Sequence, residues 1–248
     1  MAGKAIFLCC ISAWIWVPRR ANFFQGHDRQ PNAQAVDLGT SACKFLLVDE
    51  TSKVCNQVSR EYPLSMPHTG WSEQDPSSWW QACLDGIPAL LEGFDPAQVQ
   101  GIGMGGQIHG LVALDAADKV LRPAILWNDG RTARQTDYLN KEIGRETLSK
   151  YTGNIAFAGF TAPKILWMKE NEPELYAAIA KIMLPKDYLV YRMTGVHATD
   201  YSDASGMLLL DVEHTGPGLA LEIVDIFLDT PFSEEERHSR RVSQLEEE

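Results

Sequence analysis

The clearest hydrophobic pattern in the chain lies between residues 35 and 64, where short apolar runs alternate with polar turns. The first run ends in the polar group DLGTS, the second reads KFLLVDE, and the third, KVCNQVSREYPL, follows a polar turn at residues 50–53. Runs of this length with turn residues between them are typical of β-strands. The sequence therefore predicts an antiparallel meander of three strands.

A helical pattern follows in residues 75–94. Asp75 can cap the first turn, and Pro76 occupies the first helical position, where its missing N–H is harmless. The spacing of the apolar side chains predicts one buried face, formed by Trp79, Trp80, Cys83, Ile87, Leu90 and Leu91. Pro88 removes a backbone hydrogen bond, so we expect a kink or an early end of the helix there.

The following segments alternate between extended and helical patterns. The literal Gly-x-Gly-x-x-Gly at 101–106 does not indicate a dinucleotide site, because GLVALD after it looks extended and the motif needs a helix there. We expect these glycines to allow a close approach of the backbone. Residues 160–195 predict a helix pair, a short strand at 182–184 and a helix that ends at Gly195. HATDYSDASGMLLLDV is expected to be extended, with a polar turn.

The two ends of the chain differ from this regular part. Residues 5–17, AIFLCCISAWIWV, are apolar but too short to span a bilayer comfortably, and no clear cleavage site follows them. A targeting leader, a membrane-associated segment and a non-native leader are three competing interpretations, and we favour the last. The charge-rich residues 213–248 are expected to be frayed or disordered. The sequence thus predicts an atypical leader at 1–34, an α/β domain at 35–212 and a charged tail at 213–248.

Composition and charge narrow the range of partners. The 248 residues are 45% hydrophobic and 22% charged, which is typical of a folded soluble protein. A formal net charge of −11 argues against nucleic acid or an anionic membrane as a partner, although backbone N–H groups and a metal ion can still bind a phosphate locally. The cysteines are odd in number and lack metal-ligand spacing, which predicts free thiols in a reducing compartment. They are Cys9, Cys10, Cys43, Cys55 and Cys83.

The turn after the first predicted strand is the first candidate site. Asp37, Gly39, Thr40 and Ser41 are ordinary turn residues, and taken alone they favour plain turn chemistry. The same residues could hold the terminal phosphates of a nucleotide. Glycine leaves room for a phosphate, the two hydroxyl residues offer donors, and Asp37 can lie close to a magnesium ion or its waters.

Two further segments carry candidate ligand residues. In GGQIHG, the side chains of Gln107 and His109 could bond a sugar or polyol, or His109 could be a core histidine bonded to a backbone carbonyl. No convincing Ser/His/Asp arrangement, His-Glu-x-x-His pair or Walker A loop is present in the sequence, so protease and P-loop functions are not indicated.

WNDGR is the second of these segments, and it lies at a strand-to-helix junction, where α/β folds commonly bind ligands. Trp127 could stack on a sugar while Asn128, Asp129 and Arg131 bond its hydroxyls. The alternative is a helix cap by Asn128 or Asp129 together with a core tryptophan. The other tryptophans considered are predicted to lie in the core or at an interface: Trp71, Trp79, Trp80 and Trp167.

The chain closely resembles the N-terminal half of the FGGY carbohydrate kinases of the xylulokinase type. The resemblance rests on the order of the blocks DLGTS, WSEQDPSSWWQA, GIGMGGQIHG, VLRPAILWNDGRTA, LPKDYLVYRMTG and TDYSDASGMLLLDV, and it runs from about residue 35 to residue 212. It implies an α/β domain of the ribonuclease-H-like, actin-like ATPase fold, with an antiparallel meander in a mixed sheet flanked by helices. In such kinases two domains flank a cleft that holds ATP and Mg²⁺.

The resemblance also implies roles for particular residues. By motif, Asp37, Gly39, Thr40 and Ser41 form the first phosphate loop, with Asp37 beside the metal. The implied sugar contacts are Ile108, His109, Trp127, Asn128, Asp129 and Arg131, and we add Gln107 to this predicted sugar site from its place in GGQIHG. The implied reaction transfers the γ-phosphoryl group of ATP to the 5-hydroxyl of D-xylulose or a related pentulose, in the cytoplasm. A homodimer is possible, and neither nucleic acid nor a membrane is an expected partner.

The sequence departs from the family pattern at both ends. The first strand is short, AQAV, and unrelated sequence precedes it. The family's proton acceptor is an aspartate in a Gly-Gly-Asp segment that begins the second domain, and this sequence stops before such a segment. We therefore expect a sugar-binding half without the C-terminal ATP-binding domain, with weak pentulose binding and little or no turnover. The alternatives are a non-catalytic sugar-binding or regulatory module with the same half-fold, or a kinase for L-ribulose or glycerol.

Overall fold

The computed structural model describes residues 31–212, which alternate between short strands and helices. The strands are β1 (Pro31–Leu38), β2 (Ala42–Asp49), β3 (Val54–Glu61), β4 (Glu73–Gln74), β5 (Gly101–Gly106), β6 (Val112–Leu114), β7 (Ala124–Ile125) and β8 (Lys181–Met183). The α-helices are α1 (Pro76–Leu90), α2 (Ala133–Tyr138), α3 (Arg145–Thr152), α4 (Thr161–Asn171), α5 (Pro173–Ala178), α6 (Pro185–Thr194) and α7 (Tyr201–Gly206). A 3₁₀ turn (Pro96–Gln98) and a π-helical turn (Leu139–Gly144) complete the set. The apolar run at 5–17 and the charged tail lie outside the described residues.

The predicted meander forms the larger part of a four-stranded mixed sheet. Strands β1, β2 and β3 pair antiparallel, and β5 pairs parallel with β1, so that the order is β3-β2-β1-β5. Strand β1 begins at Pro31, earlier than the domain boundary predicted at residue 35, and Ala33 and Gln34 are buried in it. The predicted mixed α/β sheet flanked by helices is confirmed.

Helix α1 packs on strands β2 and β3 and closes one part of the core. The carboxylate of Asp75 accepts a hydrogen bond from the Ser77 N–H at 2.9 Å, which confirms the predicted cap. Trp79 and Leu90 are fully buried on the inner face of α1. The helix ends at Leu90, soon after Pro88, as the loss of its backbone donor predicts. None of the described helices combines the length and the apolar character needed to cross a bilayer.

The glycine-rich segment is a strand, as predicted. A Cβ atom at Gly106 would come within 2.5 Å of the Cβ of Leu38 on the neighbouring strand β1. The Gln107 N–H then donates to the Leu38 carbonyl at 2.7 Å. The next regular element is strand β6 and not a helix, which removes the dinucleotide interpretation. The three described cysteines are free thiols, as predicted.

The prediction of an extended segment after Gly195 is wrong for the central part of that segment, which forms the short helix α7. Asp200 caps this helix by accepting a hydrogen bond from the Asp203 N–H at 2.9 Å. The buried ammonium of Lys186 lies 2.9 Å from the Asp200 carboxylate and 2.8 Å from that of Asp203. Turn-forming residues dominate the local sequence, and the helix depends on a lysine from α6 that local patterning does not reveal.

Substitution of Gly86 by Ala should destabilise the fold. A Cβ atom at this position of α1 would lie 2.3 Å from Cε2 of Phe45. Alanine favours a helix over glycine by about 1 kcal/mol, but overpacking of a core costs about 1–3 kcal/mol. We expect Gly86→Ala to lower the free energy of unfolding in urea by about 1–2 kcal/mol. Phe45→Leu removes the ring that the added methyl group would meet, so the double variant should lose less stability than the sum of the losses in the two single variants. A loss equal to that sum would contradict the contact.

Candidate functional site

Gly39 closes the turn between strands β1 and β2. Its N–H donates to the carbonyl oxygen of Ala42 at 3.0 Å, and a Cβ atom on Gly39 would lie 2.9 Å from the same oxygen. A larger residue would therefore push the turn open. Asp37 and Ser41 are exposed on either side of the turn, and Thr40 is half-buried. The four residues of the predicted phosphate loop thus lie together at one end of the sheet.

Two carbonyl oxygens of this turn face buried side chains. The Gly39 oxygen accepts hydrogen bonds from Tyr62 Oη at 2.5 Å and from Gln107 Nε2 at 3.4 Å. The Thr40 oxygen accepts from Gln74 Nε2 at 2.6 Å. Burial raises the pKa of Tyr62, so its phenol stays protonated and remains a donor. The turn is thus held from the interior by three side chains.

The amide groups of the turn must point the other way. In a planar trans peptide the N–H of one residue is directed opposite to the C=O of the residue before it. Since the carbonyls of Gly39 and Thr40 face the interior, the N–H groups of Thr40 and Ser41 face away from the buried glutamines and tyrosine. Successive outward N–H groups form the kind of concave surface that binds phosphate.

Gln74 connects the turn to the core. Its Oε1 accepts hydrogen bonds from Trp79 Nε1 at 3.0 Å and from Gln107 Nε2 at 3.1 Å. Neighbouring side chains of a strand point to opposite faces, so Glu73, beside it on β4, points away from the turn. The two residues of this short strand therefore serve two different parts of the site.

His109 lies at the centre of the second predicted segment. Its imidazole stacks on Phe160 with ring centroids 4.4 Å apart, and its backbone adopts the left-handed conformation at φ 64°. Burial and the nearby charge of Lys164 lower the pKa of His109, against a smaller effect of a hydrogen bond with the Gly206 backbone. The ring is therefore neutral at pH 7 and can both donate and accept. Ile108, beside it, is half-buried.

A buried lysine that the sequence did not single out lies behind His109. The Nζ atom of Lys164 donates to the carbonyl oxygens of His109 at 3.0 Å, of Phe160 at 3.1 Å and of Gly159. The residue has no exposed surface. Burial and the charge of Arg131 lower the pKa of Lys164 to about 7, against the opposing effect of Asp129. The sequence feature that could have indicated this residue is a single lysine within the otherwise apolar first part of α4.

Trp127 lies between the turn and the His109 region. It is 48% exposed, and its Nε1 donates to Thr40 Oγ1 at 3.0 Å. Its carbonyl oxygen approaches Gly159 so closely that a Cβ atom there would lie 2.4 Å away. Asn128, the next residue, is also exposed. The core-tryptophan alternative does not apply to Trp127, whose ring remains available to a ligand.

Asp129 and Arg131 form a buried ion pair. The Asp129 carboxylate accepts from Arg131 Nε at 2.9 Å and Nη2 at 2.8 Å, and from the Ser72 N–H at 2.6 Å. Arg131 Nη2 also lies 2.7 Å from Glu73 Oε1, and the guanidinium lies 3.7 Å from the centre of the Trp71 ring. These contacts fix the WNDGR segment to the core. A direct contact of either residue with a sugar stays a prediction.

The turn and His109 belong to one continuous region. From Thr40, contacts lead through Trp127 to Gly159, then along the chain to Phe160 and across its ring to His109. The Gln107 side chain, two residues before His109, reaches the turn directly. The structure therefore brings the predicted phosphate-binding and sugar-binding residues side by side.

Asp37 is the predicted metal ligand. Within residues 31–212, no group of three or more His, Cys, Asp or Glu side chains could hold a metal ion. A magnesium ion bound mainly through phosphate oxygens and water needs only one or two carboxylates from the protein. The exposed Asp37 next to outward amide groups fits that mode of binding.

Substitution of Gln74 by Leu should destabilise the protein through its hydrogen-bond partners. Trp79 Nε1 and Gln107 Nε2 would lose a buried acceptor, and the Thr40 carbonyl would lose a donor. Each unsatisfied buried group costs about 1–3 kcal/mol, so we expect a loss of about 2–4 kcal/mol in urea unfolding. The control Gln98→Leu, at an exposed position, should change stability little. Equal effects of the two substitutions would contradict this role.

Lys164 should make the stability rise with pH. Its pKa is about 7 in the folded protein against 10.5 for a free lysine, so between these pH values the unfolded chain binds more protons at this residue. The free energy of unfolding then increases with pH, by up to about 1.4 kcal/mol per pH unit. Urea unfolding across this range should show a slope that is more positive, by up to about this amount, in the wild type and in the control Lys169→Met than in Lys164→Met, which leaves the other titrating groups in place. An identical slope in all three proteins would refute the assignment.

Comparison with known proteins agrees with this geometry. Residues 33–216 match the sequence model of the FGGY family of carbohydrate kinases, N-terminal domain. The chain is 46% identical over 177 residues to a xylulose kinase of Escherichia coli (strain K12), and 46% identical over 179 residues to one of Bacillus subtilis (strain 168). Each match covers 71% of this chain and 36% of the relative.

Solved structures show the same relationship. The crystal structure of a xylulose kinase from Brucella ovis matches with a TM-score of 0.68 and 45% identity, over 72% of this chain and 37% of that chain. One from Rhodospirillum rubrum matches with a TM-score of 0.69 and 29% identity, over 73% and 38%. The chain therefore spans a little over a third of the length of these relatives. The implied ribonuclease-H-like, actin-like fold is confirmed, and the chain belongs to the FGGY family of carbohydrate kinases.

Proposed function

We propose that this chain supplies the sugar-binding part of an ATP-dependent kinase that phosphorylates the 5-hydroxyl of D-xylulose. The observation that carries the proposal is the continuous path from the turn at Thr40 through Trp127 to His109. On this proposal, the phosphate end of the nucleotide would lie at the turn, next to the exposed Trp127 and the half-buried His109, which would meet the sugar. The identity to proteins named xylulose kinases supports D-xylulose as the sugar. The complete reaction is proposed for a protein of the relatives' length.

The turn between β1 and β2 would receive the phosphate end of the nucleotide. The N–H groups of Thr40 and Ser41 would donate to phosphate oxygens, and Asp37 would bind the magnesium ion or its waters. When bound, the Mg²⁺·ATP complex supplies the phosphoryl group and neutralises its charge. Gly39 permits the tight turn, and the buried donors behind it keep the amides directed outward, so no reorganisation is needed on binding.

The sugar would lie against His109 and Trp127. The neutral imidazole can donate to one hydroxyl or accept from another, and the exposed indole can pack on the apolar face of the sugar. Asn128 can bond a further hydroxyl, while Gln107 ties this region to the turn. Transfer also needs an acceptor for the hydroxyl proton, which we assign to a group outside the described residues. Dependence on ATP fits a cytoplasmic enzyme.

Calorimetric titration of the 248-residue chain with D-xylulose tests the proposal. We expect the wild type to bind and His109→Ala to bind at least about tenfold more weakly, because the imidazole contacts are lost. His68→Ala is the matched control, since His68 is exposed and its ring contacts Trp71 rather than Trp127 or the turn. A folded wild type that gives no heat with D-xylulose would contradict the proposed function.

Titration with L-ribulose and glycerol distinguishes the sugar from its alternatives. Tighter binding of L-ribulose than of D-xylulose would reassign the substrate and retain the sugar-binding role. Failure of all three ligands to bind a folded chain would favour a non-catalytic module with the same half-fold.

A further inference from the structure

We propose that Lys164 and Gly206 are positioning residues that hold the His109 imidazole in the orientation required for sugar binding. Neither residue would contact the sugar. This inference rests on the sugar-binding function proposed above. It follows from two independent observations, one on the backbone of His109 and one on its ring.

The number of carbonyl acceptors around Lys164 equals the number of N–H donors on its ammonium group. In its protonated form Lys164 has three N–H donors, and Nζ is bonded to three backbone carbonyls, those of His109, Gly159 and Phe160. Burying an ammonium is costly, so a lysine with no exposed surface depends on these bonds. The three carbonyls lie on two separate loops, and these two loops carry the His109 ring and the Phe160 ring that stacks on it. One side chain therefore fixes both partners of the stack.

The backbone of His109 needs such support. Its φ of 64° places a non-glycine residue in the left-handed region, which such residues occupy rarely and which the surroundings must therefore stabilise. The His109 carbonyl accepts a second hydrogen bond, from Thr161 Oγ1 at 3.1 Å. Lys164 and Thr161 both belong to α4, so this helix holds the strained residue through its carbonyl oxygen.

Gly206 constrains the ring of His109. A Cβ atom at Gly206 would lie 2.6 Å from Cε1 and 3.0 Å from Nδ1 of the imidazole. Phe160 stacks on the same ring, so a ring pushed away from Gly206 must also change its contact with Phe160. Helix α7, which ends at Gly206, is fixed in turn by the 2.8 Å contact of Asp203 with the buried Lys186.

Calorimetric titration with D-xylulose provides the first readout, on the full 248-residue chain. We expect Lys164→Met and Gly206→Ala each to weaken binding at least about tenfold, because the imidazole no longer lies where the sugar hydroxyl requires it. Lys169→Met is the matched control, since Lys169 lies on the exposed side of the same helix α4 and should bind like the wild type.

The second readout is the NMR signal of the His109 imidazole in the absence of sugar, assigned with His109→Gln. The Phe160 ring current makes this signal sensitive to the stack. We expect it to shift in Lys164→Met and in Gly206→Ala, and to stay unchanged in Lys169→Met. If Lys164→Met fails to fold, Gly206→Ala decides the result, because it leaves the lysine intact.

The outcomes separate this inference from the function on which it rests. An unshifted His109 signal in the folded variants would overturn the positioning role, whatever the sugar titration gives. A shifted signal with unchanged affinity would overturn the link between positioning and sugar binding. If the signal shifts but the wild type itself does not bind D-xylulose, the proposed function fails and the sugar part of this inference fails with it.

Discussion

Hydrogen bonds from buried side chains to backbone carbonyl oxygens hold the candidate site together. Tyr62 and Gln74 bind the carbonyls of the turn after β1, and Lys164 binds the carbonyl of His109. A buried carbonyl without a donor is unfavourable, and so is a buried donor without an acceptor. The loops and their supporting side chains therefore stabilise each other.

This arrangement separates supporting residues from residues that can meet a ligand. Because each peptide is planar, inward carbonyls imply outward amides, so the bonds that fix the turn also direct outward the N–H groups for which we propose a phosphate-binding role. Asp129 and Arg131 are charged, but in the interior Arg131 forms ion pairs with Asp129 and with Glu73. In the same segment, Trp127 and Asn128 have the exposed side chains, and Gly130 is exposed but has no side chain to offer.

Two of the three parts of the site leave neighbouring strands of the four-stranded sheet, and the third follows a strand of a separate two-stranded sheet. The turn follows β1, the GGQIHG segment ends β5 and continues beyond it, and WNDGR follows β7. Strands β1 and β5 are parallel neighbours, so the segments that follow them both leave from the carboxyl ends of the strands, at the same end of the sheet. Ligand sites in α/β proteins commonly form at such strand ends, where backbone groups are not used by the sheet. The family membership of the chain is consistent with this location.

The sequence alone determined the meander, the capped helix α1 and the glycine that ends α6, because strand alternation, caps and left-handed glycines are local signals. The order of its motifs also determined the family. Only the tertiary structure decided that residues 201–206 form a helix and that Lys164 supports His109. Those features depend on partners far away in the chain, with Lys164 and His109 separated by 55 positions. A contact of that kind leaves no periodic pattern, so it exists only once packing has brought α4 against the His109 loop.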